Sequence, residues 1–171
     1  IIFVIAFVMR KWGGYRDYFG TSVFWSASKI QIGLTLLWTY HLFAFFITLW
    51  YGRMELEQNI LRYLMFESYS WLFWLNVIFI FLIPFWILVW NPVRKTAWGP
   101  ALAGIFILIG NLMFQIRIFV GAFNAGDIYH LGLFKVPPPV FPDIWDIFIV
   151  VGGIGLVAFI YLLGTKVLPA L

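Results

Sequence analysis

Tyr40 and His41 lie near the middle of a run, 30 to 52, that carries no formal charge. Asn111 and Gln115, four residues apart, share one helical face of another apolar run, and Arg117 follows on a different face. Polar groups at membrane depth are expensive and mark functional sites by default. For Tyr40 and His41 the chemistry is hydrogen bonding to a quinone carbonyl, or proton relay. Their plainer role is packing glue, with the histidine bonded to a neighbouring helix. For Asn111, Gln115 and Arg117 it is a conduction path, set against a structural ion pair at the arginine. A guanidinium stays protonated at any workable pH, so Arg117 must meet an acid, a carbonyl or a wet cavity. Glu67, Asp127, Asp143 and Asp146 are the candidate acids. Ser22, Ser26, Lys29, Gly33, Tyr40 and Ala44 form one stripe on a helical wheel. His41 points about 100° away from Tyr40, so one pocket need not hold both.

Several chemistries are excluded or disfavoured. Without cysteine the chain can hold neither a disulfide nor a cysteine-ligated iron–sulfur or zinc site. A b-type haem needs two histidines facing each other at one depth, and His41 in a span with His130 in a loop do not make such a pair. No metal-ligand spacing, phosphate loop or nucleophile triad is present. The net charge of +4 is scattered over loops, which argues against nucleic acid and for lipid orientation.

The elements that must position these residues are membrane helices. Of the 171 residues 64% are hydrophobic and only 11% charged, against about 25% charged in soluble domains. Runs long enough to span a bilayer cover 30–52, 69–90, 97–116 and 147–165. Ser22 to Lys29 should add the first turns of the first span, Lys29 snorkelling to the interface. Trp50 and Tyr51 make an interfacial belt, Pro84 should kink the second span, and Gly152, Gly153 and Gly155 favour close helix contact in the fourth. Ile1 to Met9 reads as the tail of a fifth span whose beginning is missing. The expected fold is all-α, a polytopic transmembrane helix bundle of four full spans plus the end of a fifth. It forms a single membrane domain over 1–171, the C-terminal part of a longer chain.

Between the spans, 53–67 alternates charge with Leu56, Ile60, Leu61 and Leu64 at helical spacing, as in an interfacial helix. Residues 121–142 form a long loop with polyproline at Val136-Pro137-Pro138-Pro139. One set of loops carries Arg10, Lys11, Arg16, Lys29, Arg94, Lys95 and Lys166 against Asp17 alone, and the other carries Arg53, Arg62, Arg117 and Lys135 against six acids. Positive-inside counting places the first set and the C-terminus in the cytoplasm of a multi-pass inner-membrane protein. Arg53, Glu57, Arg62, Glu67, Asp127, His130 and Lys135 then face outward as candidates for docking a partner.

The run Leu37-Trp38-Thr39-Tyr40 to Leu49-Trp50-Tyr51-Gly52, the acid-rich connector, Phe73-Trp74 leading to Ile83-Pro84-Phe85, and a closing helix after Arg117-Ile118-Phe119-Val120 resemble the polysulfide-reductase membrane subunit family (NrfD-like), over its C-terminal half. Relatives occur in alternative complex III and in sulfate-reducer redox complexes. The resemblance implies a haem-free subunit that anchors an iron–sulfur partner, often with molybdopterin or multihaem cytochrome subunits and other membrane subunits. Such a subunit exchanges electrons with menaquinone or another quinone, held mainly by helices that precede this sequence. Many relatives carry Glu-Arg late in the third span, where this chain has Gln115-Ile116 before Arg117. The alternative class is a transporter or channel half lined by Asn111, Gln115 and Arg117. It calls for broken helices in corresponding positions of two halves, and here only Pro84 interrupts a span.

Overall fold

The computed structural model describes residues 1–125 and 138–167, whose regular structure is helical throughout. Three helices are long and apolar enough to cross a bilayer: Thr21–Gly52, Ser70–Val89 and Trp98–Val120. The chain divides into two units, Ile1–Pro139 and Val140–Leu171.

Within the first unit, α1 (Ile2–Trp12) leads into α2 (Thr21–Gly52). The 32 residues of α2 make a rod about 48 Å long, well over the ~30 Å of a hydrocarbon core. Its first turns therefore overhang, and the Lys29 ammonium lies 4.0 Å from the centre of the Trp25 ring. The buried face of α2 is Phe24, Ser28, Gln31 and Thr35. That face is polar because its hydrogen bonds are internal: Thr35 Oγ1 donates to the Gln31 carbonyl at 2.9 Å and Gln31 Nε2 to the Pro100 carbonyl at 3.4 Å. Arg53 ends the helix with φ 51°, a left-handed C-cap on a residue other than glycine.

The second span is built in three pieces: α4 (Ser70–Val77), a wider π-turn over Ile78–Leu82, and α5 (Ile83–Val89). Proline has no N–H and its ring crowds the carbonyl four residues back. The chain answers Pro84 by inserting a residue just before it, so that the Ile83 amide reaches the Ile78 carbonyl. A π-turn, one of the local features at which membrane helices bend, thus adjoins the proline.

Beyond the short α6 (Asn91–Arg94), α7 (Trp98–Gln115) runs through a second-half π-turn at Ile116–Val120 and into α8 (Gly121–Ala125). The third span thus continues past the expected Ile116, and the first residues of the expected 121–142 loop are helical. Helix α7 is the hub of this unit, with α1, α2 and the second span packed against it. Small residues make that possible. A Cβ on Gly110 would sit 2.5 Å from Ile80 Cγ1 and 3.0 Å from the Ile80 amide nitrogen, so only glycine admits the second span there. Asn76 Nδ2 donates to the Gly110 carbonyl at 2.7 Å and fastens the same crossing.

The second unit contains α9 (Ile144–Val167), 24 residues that include the expected fourth span. Asp146 caps its first turn by accepting the Asp143 amide at 2.9 Å, the placement that a helix dipole favours for an acid.

Candidate functional site

The region of interest forms where the segment after α2 folds back on the bundle. Helix α3 (Glu55–Leu61) places Glu55 and Glu57 in its first turn and runs into a π-turn, Arg62–Phe66. There the Glu67 amide bonds the Arg62 carbonyl five residues back, at 2.8 Å. The segment has a buried and an exposed side. Leu61, Tyr63 and Met65 are buried, while Arg62 and Phe66 are exposed. Tyr63 meets Tyr69 edge to face at 5.3 Å, and the pair packs with Leu72, Leu64, Met113 and Ile116.

On the exposed side of this segment Trp50, Gln58, Leu61, Arg62 and Phe66 line an open cleft of about 430 Å³, within the size range of small-ligand sites. Its walls are aromatic: Trp50 stacks on Phe46 at 5.7 Å, and Phe46 lies 6.4 Å from Phe66. Its polar groups are the Gln58 amide and the Arg62 guanidinium. Arg62 Nη2 pairs with Glu67 Oε1 at 2.6 Å, leaving other guanidinium N–H groups for a ligand.

Beneath the π-turn lies Arg117, only 2% exposed. Its Nη1 donates to the Leu64 carbonyl at 3.3 Å, and its charge sits 5.0 Å from the Phe73 ring centre and 5.5 Å from that of Phe114. Among the described residues no acid reaches it. Glu67 is taken by Arg62, Asp127 lies outside the described residues, and Asp143 and Asp146 belong to the second unit. Of the partners expected for this arginine, the described residues supply a carbonyl, with two aromatic faces beside it. Nearby, Asn124 Nδ2 donates to the Tyr63 hydroxyl at 3.0 Å and to the Pro138 carbonyl at 2.7 Å. Burial pushes the Tyr63 phenol up to about 12, the Asn124 hydrogen bond opposing the shift.

The other candidates are dispersed. Tyr40 and His41 are exposed on α2, their rings in edge-to-face contact at 5.6 Å although 100° apart on the wheel. His41 Nδ1 lies 2.8 Å from the Leu37 carbonyl oxygen of its own helix, not of a neighbour. Asn111 and Gln115 are exposed on α7 while Arg117 is buried, so the three do not line one internal route. Of the docking candidates, Arg53 and Arg62 are exposed, Glu57 and Glu67 are half-buried, and Asp127, His130 and Lys135 fall outside the described residues.

Sequence reasoning missed Gln31 and Asn76, both buried and polar, and the cleft residues Trp50, Gln58 and Phe66. Ser28, Gln31 and Thr35 do recur at helical spacing, on the face of α2 opposite the Ser22-to-Ala44 stripe. Asn76 gives no such signal, being a single amide in an apolar run. Comparison with protein families, with curated proteins and with solved structures finds no match for this chain.

Proposed function

We propose that this chain is an integral membrane subunit of a respiratory redox complex and exchanges electrons with the quinone pool, a quinone ring entering the cleft between Trp50 and Phe66. The observation that carries this reading is the cleft, an aromatic slot with two polar donors at the end of a bilayer-length helix. Trp50 and Phe66 offer faces on which a planar ring stacks. The Gln58 amide and the free N–H groups of Arg62 suit the ring oxygens, and hydrogen bonds to those oxygens favour the reduced form. Each quinone that becomes quinol takes up two electrons and two protons. The protons are drawn from the water that the open cleft admits, and the electrons come from a cluster-bearing partner because this sequence has no cysteine to hold a cluster.

In this reading α9 is a fourth span, the C-terminus is cytoplasmic, and the exposed Arg53 with the Arg62–Glu67 pair belongs to the outer surface that meets the iron–sulfur partner. Neither haem nor metal is assigned to this chain.

An azidoquinone photolabel applied to the complex in native membranes tests the site. Labelling should map to peptides holding Trp50 or 62–66 and be displaced by unlabelled quinone. Trp50→Ala combined with Arg62→Gln should weaken it about fivefold, equivalent to roughly 1 kcal/mol of binding. Labelling confined to other subunits would remove the assignment.

A further inference from the structure

The cleft owes two of its walls to one short segment. Arg62 and Phe66, four residues apart at the ends of the π-turn, line it, while Leu64, midway between them, turns its carbonyl to the buried side. A π-turn is less regular than the helix it extends, and this one is followed by Glu67 at φ −111° and ψ −114°, outside any helical conformation. Its backbone bonds run five and six residues instead of four, from Glu67 to Arg62 at 2.8 Å and from Tyr69 to Tyr63 at 3.3 Å. The Tyr63–Tyr69 cluster packs the buried side of the segment, and the carbonyl at its middle takes a further contact.

That contact comes from the other side of the bundle. Arg117, 53 residues further along the chain, reaches the Leu64 carbonyl. The guanidinium is 2% exposed, and its Nε has no hydrogen-bond partner. A charged donor to a carbonyl is stronger than a neutral one, and exclusion of water strengthens it further. The Phe73 and Phe114 rings hold the guanidinium in place, so the charge is attached to α7, the hub of the unit.

We propose that Arg117 is a positioning residue for the cleft: its guanidinium holds the Leu64 carbonyl and so sets where the π-turn presents Arg62 and Phe66. It touches no ligand and moves no proton. The consequence for ligand binding rests on the quinone reading given above, while the consequence for the turn does not.

This sequence has no cysteine, so introduced thiols are labelled on this chain alone before the cluster-bearing partner is added back, and both parts are read in the reassembled complex. Nitroxide labels at Phe45→Cys and Phe66→Cys report the turn against α2, and labels at Phe45→Cys and Ile105→Cys report α2 against α7. In the parent both distance distributions should be narrow. Arg117→Met should broaden the 45/66 distribution at least about twofold and leave 45/105 unchanged. In the unlabelled complex it should raise the Kd of a short-chain quinone about fivefold. Should Arg117→Met fail to accumulate, Arg117→Gln carries the same test, since its amide ends well short of the Leu64 oxygen. A 45/66 distribution like the parent's in the variant that assembles would overturn the proposal. A broadened turn with unchanged quinone affinity would uphold the positioning role and overturn the assignment of quinone to this cleft.

Discussion

The π-turns at Ile78–Leu82 and Arg62–Phe66 both depart from the regular helix, and they are held by different means. The first lies inside a span, is provoked by Pro84, and is closed by steric fit: Gly110 leaves room for Ile80, and Asn76 bonds the glycine carbonyl. The second precedes a span, has no proline, and joins the buried Tyr63–Tyr69 cluster on one side while a charged donor, Arg117, reaches its middle carbonyl from across the bundle. A turn locked by interdigitated atoms has little room to move without opening the core. In the second turn Tyr63 and Met65 are packed in the same way, but Arg62 and Phe66 stand exposed beside an open cleft, so their placement depends more on the polar contact to the Leu64 carbonyl. The first therefore contributes stability, and the second is the one that the positioning proposal ties to the shape of the cleft.

Changes at the first turn should lower stability and spare quinone binding. The largest effect is expected for Gly110→Val, which drives a branched side chain into Ile80 and its backbone. A loss of about 3 kcal/mol is expected, read as a lowered unfolding midpoint in detergent. An unchanged midpoint would mean that the two spans do not cross so closely.

Asn76→Ala comes next. It removes the 2.7 Å bond to the Gly110 carbonyl, and bonds of this kind between membrane helices contribute about 1–2 kcal/mol. If quinone affinity fell instead while the midpoint held, the contrast between the two turns would fail.

An effect confined to alkaline pH is expected at Tyr63, under the second turn. The folded chain holds the phenol proton up to about pH 12, against about 10 for an ordinary tyrosine. Its contribution is therefore fully present below pH 10 and is lost as the pH rises toward 12. Between pH 9 and 12 the melting temperature of the parent should fall further than that of Tyr63→Phe. Parallel curves would show that the phenol is not held neutral by the fold.

Much of the architecture was legible in the residues because the bilayer demands it. A helix that must satisfy its own backbone in lipid has to be long and uncharged, so the spans beginning near 30, 69 and 97 announce themselves. Composition alone also settles that no cysteine-held centre resides here. The face each helix turns inward was not legible. In α2 both stripes carry polar groups, and hydropathy cannot rank them, because lipid and a packed helix interface are both apolar surroundings. The pattern pointed to Tyr40 and His41, which are exposed, and passed over Gln31, which is buried. Arg117 could be recognised as a charge in need of a partner, but the partner is a backbone carbonyl, and carbonyls look the same at every position of a sequence. The cleft likewise joins Trp50 at the end of one helix to Phe66 in a turn whose extra residue only packing against α7 selects. What lies along one helix was set by local chemistry; what meets across the bundle was decided by the fit of side chains from distant segments, which no local pattern records.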